Sequence, residues 1–178
     1  MVDRAVYPGT FDPITLGHLD LIVRSAEIFD ELTVAVAASS SKPGAMFSLE
    51  ERMQMIREAA DEAGVKIKVD VLDTLLVDFC RDHGIRVIIR GLRAYSDFEN
   101  EFQMSLANRK LAPEVETMFL MPQEEHSYVT ASTVREIARY GASTASFVPK
   151  AVLPHIDRLL RDNPALRLRA ERAKSNVR

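Results

Sequence analysis

The segment Tyr7-Pro8-Gly9-Thr10-Phe11-Asp12-Pro13-Ile14-Thr15-Leu16-Gly17-His18 gathers groups that bind phosphate. Gly9 lets backbone approach a ligand closely, and Thr10 offers a hydroxyl and a backbone N–H. Thr15 is placed to cap a helix, which sets His18 in the first helical turn. Unpaired N–H groups and the positive end of the helix dipole meet there, so an anion is favoured and the His18 ring adds a donor. Three further stretches have the same character. Ser39-Ser40-Ser41-Lys42-Pro43-Gly44 is small and polar with one lysine, which suits a phosphate-binding loop. In Arg90-Gly91-Leu92-Arg93 two guanidinium groups flank a glycine, and their forks match phosphate oxygens. Glu101, downstream, is an alternative partner for one of these arginines. Finally, His126-Ser127-Tyr128-Val129-Thr130-Ala131-Ser132 brings hydroxyls and N–H groups to another helix start. Two helix starts and three basic side chains converging on one crevice point to a polyphosphate ligand.

Convergence requires a particular scaffold. Short apolar runs at Val6-Tyr7, 32–38, 65–71, 86–89 and 115–121 read as buried strands. Helix-period segments lie between them. Residues 16–29 carry one broad apolar face. Ser48, Ser96 and Thr133 each stand three residues before a glutamate, the spacing of a capping box, and predict helices over 49–63, 97–111 and from 134 to near Gly141. A shorter helix spans 75–82, and a last one follows Pro149. Strict alternation of strand and helix predicts a single doubly wound, Rossmann-like α/β domain. It has a mainly parallel five-stranded sheet and a C-terminal helical end. In such sheets ligands bind beyond the carboxyl ends of the strands, where all four stretches fall.

Composition narrows the class. The chain has 178 residues, 47% hydrophobic and 28% charged, as a globular domain does. With 23 basic against 26 acidic residues it does not read as a nucleic-acid binder. No apolar run approaches the roughly 20 residues of a membrane span, and the opening residues read as a strand rather than a secretory signal. The expected location is the cytoplasm. One cysteine, Cys80, excludes an internal disulfide and falls on an apolar helix face, so it is expected in the core. The patterns of P-loop enzymes, dinucleotide oxidoreductases, α/β-hydrolases and zinc peptidases are all missing. Residues 1–160 are read as the domain and 161–178 as a basic tail; within 165–178 Glu171 stands alone against five basic side chains.

Taken together, Pro8-Gly9-Thr10-Phe11-Asp12-Pro13, Thr15-Leu16-Gly17-His18 and Thr130-Ala131-Ser132-Thr133-Val134-Arg135 resemble the two signatures of the nucleotidylyltransferase superfamily. The Arg90–Ala94 stretch, Asp97-Phe98-Glu99 and Asn108-Arg109 make residues 3–160 similar to the bacterial phosphopantetheine adenylyltransferase family. The resemblance implies transfer of the adenylyl group of ATP to 4′-phosphopantetheine by in-line attack, without a covalent intermediate. It implies that Thr10 and His18 contact the reacting phosphates. Phe11, Gly91, Leu92, Arg93, Glu101 and residues His126 to Ser132 would bind ATP, and Thr10, Lys42, Leu76 and Arg90 the acceptor. It further implies Mg2+, a homohexamer built as a trimer of dimers, and feedback inhibition by coenzyme A. Two residues depart from the family pattern: Ala131 lacks the hydroxyl of the serine-rich turn, and His126 stands where a bulky aromatic is usual.

Overall fold

The computed structural model describes residues 4–38, 45–92 and 95–162, with backbone only at 95–97. Five strands, β1 (Arg4–Gly9), β2 (Glu31–Ala37), β3 (Lys68–Leu72), β4 (Val87–Gly91) and β5 (Glu116–Leu120), alternate with helices. The helices are α1 (Leu16–Ile28), α2 (Leu49–Glu62), α3 (Leu76–Asp82), α4 (Tyr95–Leu111), α5 (Ala131–Arg139) and α6 (Leu153–Asp162). Short 3-10 turns span Glu124–His126 and Lys150–Val152. The sheet runs in the order β3-β2-β1-β4-β5 with every pair parallel. This is the doubly wound arrangement expected from the alternation of elements.

Parallel strands covered on both faces need apolar residues at every position, and the central strands have them. Along β2, Leu32, Val34 and Val36 enter one core, while Ala35 enters the other. Along β4, Val87 and Ile89 face the first core and Ile88 the second. The first core lies against α1, α2, α5 and α6 through Ile22, Met55, Val134 and Ile156. The second is closed by Val77, Phe79 and Cys80 of α3 and by Val115. Full burial of Ile88 and Ile89 contributes about 1.5–3 kcal/mol each. Cys80 is wholly buried, as expected, and burial pushes its thiol up to about 11.

Three boundaries differ from the expectation, each for a local reason. β3 starts at Lys68 rather than Val65, because Val65 N–H closes on the Ala60 carbonyl and Gly64 N–H on that of Asp61. These bonds form a Schellman motif at the end of α2, which needs the positive φ of 71° that Gly64 supplies. α4 begins at Tyr95, so Ser96 lies inside the helix instead of capping it. α5 begins at Ala131, because Thr130 is extended and its hydroxyl accepts Thr133 N–H at 3.0 Å. Thr130, not Thr133, is therefore the cap. Lys42, Arg93 and the tail from residue 163 lie outside the described residues.

Candidate active site

β1 and β4 are neighbours in the sheet, yet the chain leaves β1 toward β2 and β4 toward β5. The crevice at this switch point holds a cavity of about 380 Å³. Thr10, His18, Leu76, Arg90, Gly91 and Glu101 all line it, as does Val129 from the far connection. Seven positions singled out in the sequence thus meet around one space.

The α1 start is built more tightly than its sequence suggests. Thr15 Oγ1 accepts His18 N–H at 3.3 Å, and His18 Nδ1 accepts Thr15 N–H at 3.0 Å. The pair is a capping box in which histidine takes the place usual for glutamate or glutamine. With Nδ1 accepting, the neutral ring carries its proton on Nε2 and is a hydrogen-bond donor there. Phe11 packs edge-on against both Tyr7 and His18, at centroid distances of 5.4 and 5.1 Å. Its ring is 2% exposed and its backbone has a φ of 50°. A bulky residue in that region costs about 1–3 kcal/mol, so the surroundings must hold it there.

Arg90 and Glu101 form the pair that the sequence allowed. Arg90 Nε donates to Glu101 Oε2 at 2.6 Å, Nη2 donates to Oε1, and Nη1 donates to the Pro8 carbonyl at 3.3 Å. Burial works against the Arg90 charge, but the Glu101 hydrogen bonds and attraction outweigh it and raise its pKa. A guanidinium has five N–H donors, so two are left without a partner among the described residues. Arg90 is thus a fixed positive charge at the end of β4 that keeps donors in reserve.

The connection from β5 to α5 supplies the crevice's other wall. Arg24 of α1 donates to the Met121 carbonyl at 2.6 Å, and Asp20 accepts Gln123 N–H at 3.1 Å. Gly17 allows the His126 carbonyl to approach; a Cβ there would lie 3.2 Å from it. Val129 is buried, whereas Tyr128 is 65% exposed. His126 and Ser127 form the 3-10 turn and its end. Thr130 spends its hydroxyl on the cap and on Ser132 and Thr133. Ala131 and Ser132 fall in the first turn of α5, where backbone N–H groups have no helical acceptor. The missing Ala131 hydroxyl therefore removes no cap. Ser132 borders a separate groove with Arg135 and Arg139 rather than the cavity. Leu92 N–H donates to the Leu120 carbonyl at 2.9 Å and extends the β4–β5 pairing.

Three residues hold this loop system together: Asp12 and Arg135, which lie inside the two signatures but were given no role of their own, and Arg52, which the sequence did not single out. Asp12, 3% exposed, accepts Phe47 N–H on Oδ1 and Met46 N–H on Oδ2, both at 2.9 Å. Arg135 donates to the Asp12 carbonyl at 2.6 Å. Arg52 reaches from α2 to the Thr10 carbonyl at 2.7 Å. Asp12 and Arg135 were signalled by their signatures, whereas Arg52 sits far off in the chain with no local mark.

A parallel Rossmann-like sheet with a basic, helix-capped crevice at its switch point defines a nucleotide-binding α/β protein. The model of the cytidylyltransferase-like family matches residues 6–137. A phosphopantetheine adenylyltransferase of Desulforudis audaxviator is 49% identical over 163 residues, 92% of this chain and 96% of that protein. The protein of that name from Alkalilimnicola ehrlichii is 56% identical over 151 residues, 83% of this chain and 85% of its own. This chain belongs to the phosphopantetheine adenylyltransferase family of nucleotidyltransferases. Solved structures share the fold at low identity. One is a bifunctional NMN adenylyltransferase/ADP ribose pyrophosphatase from Francisella tularensis, complexed with AMP and a manganese ion, at TM-score 0.71 and 17% identity. The match covers 96% of this chain but about half (52%) of the Francisella protein. Another is the Plasmodium falciparum nicotinic acid mononucleotide adenylyltransferase complexed with NaAD, at TM-score 0.67 and 13% identity, covering 88% of this chain and 95% of that one.

Proposed function

We propose that this chain transfers the adenylyl group of ATP to 4′-phosphopantetheine, giving dephospho-coenzyme A and pyrophosphate, the penultimate step of coenzyme A synthesis. The observation that carries this reading is the meeting of opposed anion-binding groups in one crevice. Thr10 and the His18 Nε2–H stand on the β1 side, and the held charge of Arg90 stands on the β4 side.

An acceptor phosphate oxygen attacks the α-phosphorus of ATP in line. The new P–O bond forms, the bond to the bridging oxygen of the β-phosphate breaks, and pyrophosphate leaves with its electron pair. A phosphate monoester has its second pKa near 6, so the nucleophile is already ionised and needs no general base. The barrier lies in bringing two anions together and stabilising charge on the α-phosphoryl oxygens. His18, Thr10 and the α1 start take the α-phosphate. Lys42 and Arg90 orient the attacking phosphate, with Leu76 against the apolar arm of the acceptor. Arg93 and the 130–132 turn take the leaving phosphates. Phe11 backbone, Gly91, Leu92, Glu101 and residues 126–129 surround the nucleotide, Glu101 acting partly through Arg90.

Among the described residues no three His, Cys, Asp or Glu side chains are gathered to hold a metal, and Glu101 is held by Arg90. Such a crevice suits Mg2+ that arrives on the nucleotide, since this ion binds phosphates and keeps several waters. Held there by the nucleotide's phosphates and by water, beside Thr10, His18 and Arg90, the ion would supply neutralisation of phosphate charge. α4 carries apolar side chains away from the core: Phe98, Phe102, Met104 and Leu106 are each between 45% and 56% exposed. Such a face favours assembly with further copies, in keeping with a homohexamer arranged as a trimer of dimers. Coenzyme A contains the phosphopantetheine arm, so it competes for the acceptor side as a feedback inhibitor. No helix among the described residues is long and apolar enough to cross a membrane, and we place the enzyme in the cytoplasm.

The test is pyrophosphate release from ATP and Mg2+, with phosphopantetheine, nicotinamide mononucleotide and glycerol 3-phosphate offered separately. Release with phosphopantetheine alone is expected; release with another acceptor instead would overturn the reading of Lys42, Leu76 and Arg90. Gly17→Ala gives a second check. Gly17 stands in the first turn of α1, where alanine gains less than the roughly 1 kcal/mol of a helix interior, while a Cβ 3.2 Å from the His126 carbonyl makes that proposed nucleotide wall give by a few tenths of an ångström. ATP affinity is expected to fall roughly fivefold, about 1 kcal/mol, with little change in melting temperature. Calorimetric titration beside a thermal melt measures both, and unchanged affinity would put the 126–129 turn outside the nucleotide's reach.

A further inference from the structure

Arg52 is the largest fully buried side chain of the described residues, at 2% exposure, in a helix whose neighbouring core positions are Met55 and Ile56. Its Nη1 donates to two backbone carbonyls, Thr10 at 2.7 Å and Ala37 at 3.1 Å, and its Nε donates to the Ser48 carbonyl at 3.3 Å. Thr10 directly follows β1, and Ala37 is the last residue of β2. One guanidinium thus ties together two strand ends on the rim of the crevice. Burial lowers its pKa, while the charges of Asp12 and Glu50 oppose that shift. An apolar side chain of similar length would fill the space without the several kcal/mol cost of burying a charge. The geometry gives the charge another use.

We propose that Arg52 is a positioning residue for adenylyl transfer: by holding the Thr10 carbonyl against that of Ala37, it fixes the Thr10 hydroxyl against the reacting phosphate. This rests on the function proposed above. Displacing a group by about 1 Å from a site away from the chemistry can cost about 10²-fold in rate. Arg52 touches neither substrate, so its loss acts on turnover through Thr10 and leaves the nucleotide contacts of the 126–132 turn and of β4 in place.

The experiment compares wild type, Arg52→Lys, Arg52→Met, Thr10→Ala and the Arg52→Lys/Thr10→Ala double variant. For each, kcat and the KM for ATP are measured by pyrophosphate release, with a thermal melt on the same preparation. A lysine keeps the charge but cannot reach all three carbonyls as the fork does. Arg52→Lys is expected to lose at least about tenfold in kcat and Arg52→Met about 10²-fold, with the KM for ATP nearly unchanged. In the Thr10→Ala background the lysine substitution should cost almost nothing more, because the group it positions is gone. If Arg52→Met does not fold, the lysine cycle decides alone. Wild-type kcat in Arg52→Lys overturns the proposal, as do losses that multiply in the double variant, which mark a general structural role. A wild type that turns over phosphopantetheine while Arg52→Lys matches it sinks only the Arg52 role. A wild type inactive with that acceptor sinks the proposed function and this inference with it.

Discussion

His18→Ala is expected to slow pyrophosphate release by about 10²–10³-fold, the usual cost of removing a preorganised donor to a developing oxyanion. The KM for ATP should change far less, because in the proposed site the α1 start, Arg93 and the α5 start would still hold the nucleotide. His18 also has a structural task, since its Nδ1 accepts the Thr15 N–H that would otherwise lack a partner in the capping box. Alanine loses both tasks. His18→Gln separates them. Glutamine is an ordinary third residue of a capping box and can accept the same N–H, but its amide does not put a donor where Nε2–H stands. The glutamine variant should therefore melt close to wild type and still lose most of its turnover. Wild-type turnover in His18→Ala would remove His18 from the chemistry. Full recovery in His18→Gln would reduce it to a helix cap.

The strands and their parallel arrangement were legible because burial on both faces demands unbroken apolar runs, and Val87-Ile88-Ile89 has no other use. The crevice followed from the topology, since the stretches after β1, β4 and β5 that read as phosphate-binding come beyond the carboxyl ends of those strands. Less legible was where a cap competes with a cap. Thr130 and Thr133 are both good N-cap residues, and only the extended backbone at Thr130 decides between them. The sequence likewise left Arg90 open to either Glu101 or a phosphate. The folded chain does the first and leaves two donors without a partner among the described residues. Arg52 escaped notice, and Arg135 was read only as the end of a signature, for a different reason. Each sits at helical spacing among apolar or surface residues, and what matters is the backbone carbonyl it reaches across the fold. Local spacing carries no trace of such contacts.

The same distant contacts make Asp12 the most costly loop residue to lose. Its carboxylate satisfies Met46 and Phe47 N–H groups, and Phe47 is 2% exposed, so water cannot replace the bond easily. Leaving a buried donor unpaired costs about 1–3 kcal/mol. The buried Phe47 N–H and the half-buried Met46 N–H put the loss for Asp12→Ala at about 2–3 kcal/mol, out of a total that for domains is about 5–15 kcal/mol. The urea midpoint should fall by about 1–2 M, given slopes of about 1–3 kcal/mol/M. Asp12→Asn should fall between, since an amide oxygen can accept one of the two N–H groups while its NH2 opposes the other. The functional loss has a direction too. Met46 and Phe47 end the connection that leaves β2 at Ala37 and carries Lys42, so a freed end weakens acceptor capture first. The KM for phosphopantetheine should rise more than that for ATP in the folded asparagine variant. An unchanged midpoint in Asp12→Ala would mean these bonds are replaced elsewhere. A rise confined to the ATP KM would tie Asp12 to the nucleotide side through Arg135 instead.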